Sequence, residues 1–328
     1  MSASGQTGLV SIIVASYNHA EYLVQRMDSL LAQTYKDFEI IVIEDVSPDN
    51  SLEVLRRYEN NPLMKLIVRE RNGGWVKVSN QGIDLARGEF IMFANCDDAC
   101  HPQLLERLVA AMHANPSAGI AFSRSLLVDE DDCILGEDFA VREAAFRRLC
   151  TEDRLIGAAM MSRFLLNSCV IPNLSAALFR KKCLVEVGGF SSEYRVCSDW
   201  EMFFRITARH DVAYLRTPLN RFRQHSTTIR SSTKERVVNE EYLRLLLGYV
   251  ARLDLSFTER CRHRTHVMYL WALHLISPSW SGLRNFPYHL QKVNEFDVLA
   301  LPFLLPALAL RTGSVIGKAV RRAGELAK

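Results

Sequence analysis

The sequence lacks the glycine-rich loops that mark two large classes of nucleotide-binding protein. Its first predicted strand is followed by ASYNHA (residues 15–20), where a dinucleotide-binding domain would carry Gly-x-Gly-x-x-Gly, and no loop ending in Gly-Lys-Ser or Gly-Lys-Thr occurs. Both patterns exist because phosphate groups must approach the backbone closely. Hydride-transferring enzymes and P-loop nucleotidases are therefore disfavoured.

Long apolar runs, an excess of one charge and paired cysteines are missing as well. No run reaches the ~18 apolar residues of a membrane-spanning helix, and MSASGQTGLV shows no secretion-signal pattern. The net charge of +3 is too small to predict binding to nucleic acid. The eight cysteines have no paired spacing, which is typical of free thiols in a reducing compartment. We expect a cytoplasmic protein without a nucleic-acid partner.

The first 125 residues alternate short apolar runs with helical patterns, which predicts parallel strands joined by crossover helices. Asn18, with Glu21 three residues later, predicts a capping box at the start of the first helix. The predicted strands are Leu9–Ala15, Phe38–Ile43, Met64–Val68, Glu89–Ala94 and Gly119–Ser123. The predicted helices are Ala20–Gln33, Ser51–Tyr58, Trp75–Ala86 and Pro102–His113.

The pattern changes after Ser125 and again near residue 233. Ser125–Leu135 predicts a hairpin whose acidic turn, Asp129–Asp132, we interpret as solvated. Extended segments are predicted at Ser175–Phe179, Val212–Leu215 and Leu219–Gln224, and helical periodicity dominates after residue 233. We expect an α/β domain over residues 1–232, with halves of about 1–125 and 126–232, and a helical extension over residues 233–328.

Two adjacent carboxylates, Asp97 and Asp98, end the apolar run FIMFANC. Hard divalent cations take oxygen ligands, and magnesium or manganese sites commonly combine carboxylates with substrate phosphates. The pair therefore indicates a nucleotide-diphosphate site. Ordinary turn chemistry is the alternative for the bare dipeptide.

From Val10 to about Ser232 the sequence resembles the family 2 glycosyltransferases, which have the nucleotide-sugar-binding GT-A fold. The motifs that carry this resemblance occur in the family's order at compatible spacing. They are VSIIVASYN (10–18), SLLAQTYKDFEIIVIEDVS (29–47), RNGG (71–74), SNQGIDLARGEFI (79–91), NCDDACHP (95–102), GGF (188–190), SDWEMFFRI (198–206) and RQHS (223–226).

The resemblance implies an inverting glycosyltransferase that uses a nucleotide-diphospho-sugar, most simply a UDP-sugar, and a Mn²⁺ or Mg²⁺ cofactor. The acceptor would be a hydroxyl of a saccharide or lipid-linked saccharide, as in surface polysaccharide synthesis. A sugar-nucleotide nucleotidyltransferase is one alternative, although SYNHAEY (16–22) stands where a basic, glycine-rich loop is expected. A non-catalytic sugar-binding relative is the other.

On the donor side, the resemblance assigns recognition of the uracil N3–H to Asp45, with an Asx turn before Pro48 as the alternative. Ala15, Ser16 and Tyr17 would form the other wall of the base pocket, unless Tyr17 packs into the core. Lys77, in the first turn of a predicted helix that opens after two glycines, could reach a phosphate. Ser79 stands where many relatives carry arginine, so either Lys77 compensates for it or the donor contacts differ. A simple turn into the helix is the alternative reading of the two glycines.

The resemblance places Asp97 toward the ribose or donor sugar and makes Asp98 the cation ligand. His225, in RQHS, resembles a histidine that contacts the metal or diphosphate in some relatives. A structural histidine at a strand end is the alternative. We interpret the remaining histidines as structural.

Asp199 matches the family's catalytic base, which takes the proton of the acceptor hydroxyl. Compensation of the helix dipole is the alternative, and it applies to Glu201 as well. Trp200, Glu201 and Gly189 would lie on the acceptor side, unless Trp200 is buried in the core.

The end of the chain combines an apolar segment, Val298–Leu310, with a basic stretch, Arg311–Lys328. This combination would suit contact with an anionic membrane surface at the inner face of the cell membrane, but it does not favour that contact over packing within the protein or its oligomer. Packing against the catalytic domain or a sister subunit is the alternative.

Overall fold

The structure, a computed structural model, describes residues 8–226, 228, 233–275, 286–304 and 307. The chain divides into two compact units, Met1–Ser226 and Thr227–Lys328. Each unit is described by itself. Among the described residues, no helix has both the length and the apolar character that crossing a bilayer requires.

The described part of the first unit is built on one ten-stranded mixed sheet. Its strands are β1 (Val10–Ser16), β2 (Phe38–Glu44), β3 (Met64–Val68), β4 (Phe90–Phe93), β5 (Ala99–Cys100), β6 (Ala118–Val128), β7 (Ile134–Glu137), β8 (Arg154–Ile156), β9 (Ala177–Arg180) and β10 (Asp211–Arg223). The strand order is β3-β2-β1-β4-β9-β6-β10-β5, with β7 beside β6 and β8 beside β10.

Helices join the strands and bury apolar faces against them. Their bounds are α1 (Ala20–Leu31), α2 (Ser51–Arg56), α3 (Trp75–Leu85), α4 (Leu104–Ala114), α5 (Ala144–Leu149), α6 (Ala158–Asn167), α7 (Lys181–Glu186) and α8 (Ser198–Thr207). Short 3₁₀ helices occupy Asp138–Val141 and Leu174–Ala176. In α1, Leu23, Met27 and Leu30 are fully buried at helical spacing and join the core formed by β1, β2 and β4.

Strands β1, β2, β3 and β4 are mutually parallel, which confirms the predicted crossover arrangement. The predicted α/β class is therefore correct, and the sheet as a whole is mixed because β9 pairs antiparallel with β4 and β6. The two extended segments predicted around Pro218 form one continuous strand, β10, whose pairing with β6 shifts in register at Pro218. Proline has no N–H to donate, so the ladder is interrupted there without ending the strand.

The predicted capping box at the start of α1 is wrong. His19 is the N-cap residue and makes no side-chain capping bond, while Asn18 has a left-handed φ of 56°. The N–H of Ala20 donates instead to Oδ2 of Asp49, at 2.9 Å. The helix is therefore capped by a residue that is distant in sequence.

The described part of the second unit consists of α9 (Glu235–Arg252), α10 (Phe257–Leu275), α11 (Phe286–Asp297) and a 3₁₀ helix at Val298–Phe303. Arg264 forms an ion pair with Asp297 at 2.7 Å, which links α10 to the end of α11. The predicted basic stretch Arg311–Lys328 lies outside the described residues, as do positions 305, 306 and 308–310 of the apolar segment before it.

Candidate functional site

The carboxyl ends of β1, β2 and β4 lie side by side at one edge of the sheet. Ala15 and Ser16 of β1 pair with Ile43 and Glu44 of β2, and Ile13 pairs with Phe93, the last residue of β4. Open α/β sheets bind ligands at this edge, where the direction of strand succession changes. The loops that follow these three strands therefore define the candidate site.

Asp97, His225 and His19 come together at this edge. Nε2 of His225 lies 2.9 Å from Oδ2 of Asp97, and one potential ligand atom from each of the three residues lies within 4.8 Å of the others. Burial opposes ionisation of Asp97, but the hydrogen bond from His225 and the nearby histidine charges lower the pKa of this carboxyl overall. The hydrogen bond to Asp97 in turn raises the pKa of His225. The three residues form a compact, anion-containing group of metal-ligating type.

Asp98 lies outside this group of three, and the division of roles predicted for the two aspartates stays a prediction. Its side chain is 1% exposed, Oδ1 accepts the backbone N–H of Arg223 at 3.1 Å, and Oδ2 accepts Nδ2 of Asn173 at 2.8 Å. Burial, followed by the neighbouring charge of Asp97, raises the pKa of Asp98 to about 7. Asp98 points into the protein because β10 and the Asn173 loop supply its donors. Of the two aspartates, Asp97 is the one that lies near the two histidines.

Arg223 is the central connector of the site and was not predicted from the sequence. Its side chain is 2% exposed, and Nε donates to the carbonyl of Asp97 at 2.9 Å. Nη1 donates to the carbonyls of Asp129 and Glu130, at 2.6 and 3.1 Å. Its position in the RQHS motif was the available signal, but the motif does not reveal which groups it reaches.

The acidic turn Asp129–Asp132 is therefore not simply solvated, contrary to the prediction. Asp132 forms ion pairs with Arg221 and with Arg223. Since Arg223 also holds the backbone of Asp97, the turn is tied to the loop that carries the site. A charge cluster that looks exposed in sequence is here part of the support of the Asp97 loop.

The turn after β2 is closed by Glu44 and not by Asp45. The carboxylate of Glu44 accepts the N–H groups of Val46 and Ser47, so the Asx turn considered for Asp45 is absent from this described loop. The carboxylate of Asp45 is buried and accepts the N–H groups of Gly73 and Gly74, together with Nη1 of Arg69 at 3.1 Å. Asp45 thus closes the loop that leads into α3, and a uracil N3–H would have to replace Arg69 there.

The other predicted donor-side residues differ in exposure. Tyr17 is 45% exposed, which excludes the core-packed alternative, while Ser16 is buried at the end of β1. Ala15 is half-buried, and its carbonyl accepts the thiol of Cys96 at 3.2 Å. Lys77 is exposed in the first turn of α3, whereas Ser79 is buried.

A loop before α8 packs against the end of β4 and positions Asp199. The ring of Phe190 lies 4.9 Å from that of Phe93 and 5.1 Å from that of Trp75. Nε1 of Trp75 donates to the carbonyl of Arg195 at 3.0 Å, and Oγ of Ser198 donates to the carbonyl of Ser191. These contacts place the loop before α8 beside the last residue of β4 and the first residue of α3. Asp199 lies half-buried in the first turn of that helix.

Trp200 and Glu201 are buried, which for Trp200 is the alternative considered from the sequence. Trp200 is buried, and its Nε1 donates to the carbonyl of Leu165 at 3.1 Å. The carboxylate of Glu201 is buried and held by Arg205 at 2.6 Å, while Arg205 also donates to the carbonyls of Val187 and Gly189. Both residues anchor α8 and the loop before it, because their side chains face the core.

Gly189 is likewise a packing residue and not an acceptor contact. It has a left-handed φ of 67°, and a Cβ atom there would lie 2.5 Å from Oδ1 of Asn80. The amide of Asn80 holds both the N–H and the carbonyl of Phe190, at 2.8 and 2.9 Å. The missing side chain permits this close contact between α3 and the loop.

We expect Gly189→Ala to destabilise the protein by about 2–4 kcal/mol, because it combines backbone strain with a clash on Asn80. The matched control is Gly188→Ala: φ is +77° and no atom lies within 4 Å of the added Cβ. That variant should lose only the strain, about 1 kcal/mol. Urea unfolding measures both values, and equal losses would contradict the role given to Asn80.

The mixed sheet and its flanking helices have the GT-A fold. Residues 11–133 match the model of the family described as glycosyl transferase family 2. The match confirms, over these residues, the resemblance that the motifs indicated.

Individual relatives show how far the similarity extends. The glycosyltransferase GlyG of Streptococcus pneumoniae is 31% identical over 147 residues, which cover 43% of this chain and 48% of that protein. Residues 1–349 of S. aureus TarS, solved with UDP-GlcNAc, superpose with a TM-score of 0.67 at 21% identity, covering 92% of this chain and 83% of that one. The mannosyltransferase PcManGT of Pyrobaculum calidifontis, solved with GDP-Man and Mn²⁺, gives a TM-score of 0.51 at 15% identity, covering 93% and 86%. The structural likenesses confirm the predicted GT-A fold.

Proposed function

We propose that the protein is a divalent-cation-dependent glycosyltransferase. It transfers a sugar, with inversion at the anomeric carbon, from a nucleotide-diphospho-sugar to a hydroxyl of a saccharide or lipid-linked saccharide. The observation that carries this proposal is the meeting of Asp97 and His225 at the carboxyl edge of a family 2 sheet, with a Nε2 to Oδ2 distance of 2.9 Å.

The donor nucleotide fits the edge formed by the ends of β1 and β2. The exposed ring of Tyr17 provides a flat surface for a base, next to the backbone of Ala15 and Ser16. Lys77 offers an exposed positive charge near the start of α3, where N–H groups favour anions. UDP-GlcNAc is bound by the structurally similar TarS, which supports a UDP-sugar as the donor.

Asp97 and His225 are the residues we assign to the cation. Oδ2 of Asp97 and Nε2 of His225 lie 2.9 Å apart across a hydrogen bond, so a cation that displaces the shared proton could contact both atoms. The bound cation would offset the charge that develops on the departing diphosphate. Arg223 supports both proposed ligands. Its side chain donates to the backbone carbonyl of Asp97, and it lies two residues before His225 in the chain.

Asp199 is the residue we assign as general base. Of the two acids in the first turn of α8, Glu201 is occupied by Arg205 and turned toward the core. Trp200 is buried as well. Successive side chains leave an α-helix about 100° apart, so the side chain of Asp199 points in a different direction from that of Trp200. A carboxylate in this position can accept the proton of the acceptor hydroxyl as its oxygen attacks the anomeric carbon.

A donor screen tests the proposal directly. We expect UDP with Mn²⁺ or Mg²⁺ to raise the melting temperature, since a ligand at 100 times its Kd adds about 2.7 kcal/mol of stability, and EDTA should remove the effect. UDP-sugars with the cation should also release UDP slowly, and faster with a saccharide acceptor. Pyrophosphate release from UTP and a sugar 1-phosphate would overturn the proposal in favour of a nucleotidyltransferase. Binding without turnover of any nucleotide sugar would favour a non-catalytic relative.

A further inference from the structure

His19 lies beside Asp97 and His225 although nothing in the family motifs assigns it a role. It follows β1 directly and is the N-cap residue of α1. Its ring centroid lies 5.6 Å from that of His225, with the ring planes at 82°. The imidazole is therefore held at the same sheet edge as the two residues assigned to the cation.

The hydrogen bonding of His19 determines which ring nitrogen can act as a ligand. Nδ1 lies 2.8 Å from the carbonyl oxygen of Tyr17. A carbonyl only accepts, so Nδ1 must carry the proton, and the neutral ring presents its lone pair on Nε2. Nε2 is buried and has no hydrogen-bond partner in the described structure.

A buried nitrogen lone pair without a partner is costly unless a ligand satisfies it. Metal-ligating histidines characteristically donate their other ring N–H to a backbone carbonyl, which fixes the tautomer and the ring orientation. His19 has this arrangement, and one of its ring nitrogens lies within 4.8 Å of the potential ligand atoms of Asp97 and His225. The position of His19 is thus that of a ligand prepared for a cation.

We infer that His19 supplies a third protein ligand and that the resulting site, two imidazoles and one carboxylate, selects Mn²⁺ or Co²⁺ over Mg²⁺. This inference rests on the proposed cation site and specifies its selectivity. Magnesium prefers oxygen ligands and retains much of its water, whereas imidazole nitrogen favours the transition metals. A site with carboxylates alone would discriminate much less between these ions.

The test is Mn²⁺ binding to the full chain, measured from the EPR signal of free Mn²⁺ and independent of turnover. His19→Phe keeps the ring volume and removes both nitrogens. We expect the Kd for Mn²⁺ to rise at least about tenfold, as for other groups that support metal ligands. Competition with Mg²⁺ should show that the preference for Mn²⁺ falls by a similar factor. The matched control is His210→Phe, which should leave Mn²⁺ binding unchanged. His210 pairs with Glu186 and precedes the amino end of β10, whereas His225 follows the carboxyl end of that strand.

Three results would overturn the inference. Unchanged Mn²⁺ affinity and unchanged discrimination in His19→Phe would exclude ligation while leaving the proposed function intact, provided that the wild type binds Mn²⁺ and UDP. Loss of metal-free UDP binding with normal Mn²⁺ affinity would show that His19 contacts the diphosphate instead. A wild type that binds neither Mn²⁺ nor UDP would refute the proposed function together with this inference. The melting temperature of each metal-free variant confirms that the fold is retained.

Discussion

Replacing Asp199 with asparagine should lower the rate of sugar transfer by about 10²–10⁴-fold, the usual contribution of a general base. The reason is that asparagine keeps the shape of the side chain and cannot take the proton of the acceptor hydroxyl. Binding of UDP and of the cation should remain close to that of the wild type, because neither is assigned to α8. Single-turnover transfer, with thermal shifts for the ligands, measures the two properties separately.

Glu201→Gln is the matched control, since it changes an acid in the same helical turn. Glu201 holds Arg205, which in turn holds the carbonyls of Val187 and Gly189. Breaking a buried ion pair destabilises by about 3–5 kcal/mol, so this variant should lose stability while its folded fraction keeps most of its turnover. If Asp199→Asn lost donor binding as strongly as turnover, the assignment of the base would be wrong.

The second prediction separates the two adjacent aspartates. Asp97→Asn should weaken Mn²⁺ binding by at least about tenfold and reduce transfer accordingly, with a melting temperature near that of the wild type. Asp97 is half-buried at the cluster, and its side chain accepts from His225. Its replacement therefore removes an anionic ligand without opening the core. Mn²⁺ titration followed by EPR measures the affinity.

Asp98→Asn should behave in the opposite way. The new amide N–H₂ group would face the amide donor of Asn173 or the N–H of Arg223, since both now donate to Asp98. Leaving buried donors opposed in this way costs about 1–3 kcal/mol, which urea unfolding would detect. Loss of Mn²⁺ binding in Asp98→Asn at unchanged stability, with normal binding in Asp97→Asn, would instead restore the assignment made from the sequence.

The comparison of Asp97 with Asp98 shows why part of the site could not be predicted. The two residues are neighbours in a loop without periodicity, so no local pattern states which carboxylate faces the ligand. The answer depends on Asn173 and Arg223, which approach from distant parts of the chain. His19 was missed for a related reason: only the folded sheet brings the end of β1 beside Asp97 and His225.

Predictions from the local sequence were also wrong where a residue distant in the chain supplied the hydrogen-bond partner. Asn18 and Glu21 have the right spacing for a capping box, but Asp49 reaches the N–H of Ala20. Trp200 and Glu201 follow Asp199 in the same motif, yet both side chains are buried. Successive side chains leave an α-helix ~100° apart, so neighbours in a motif need not point the same way. A motif assigns neighbouring residues to one region, and the helix then separates their directions.

The sequence by itself determined the elements, and its motifs gave the resemblance that the family model matches over residues 11–133. Apolar runs of strand length and helical periodicity are local properties, and they predicted β1 to β4, their crossover helices and the edge of the sheet at which we propose that ligands bind. Only the tertiary structure showed that His19, Asp97 and His225 lie together, that Asp98 is held by Asn173 and Arg223, and that Arg223 also holds the backbone of Asp97. The physical reason is that a side chain's direction depends on hydrogen-bond partners supplied by other strands and loops, and those partners are adjacent only in the folded chain.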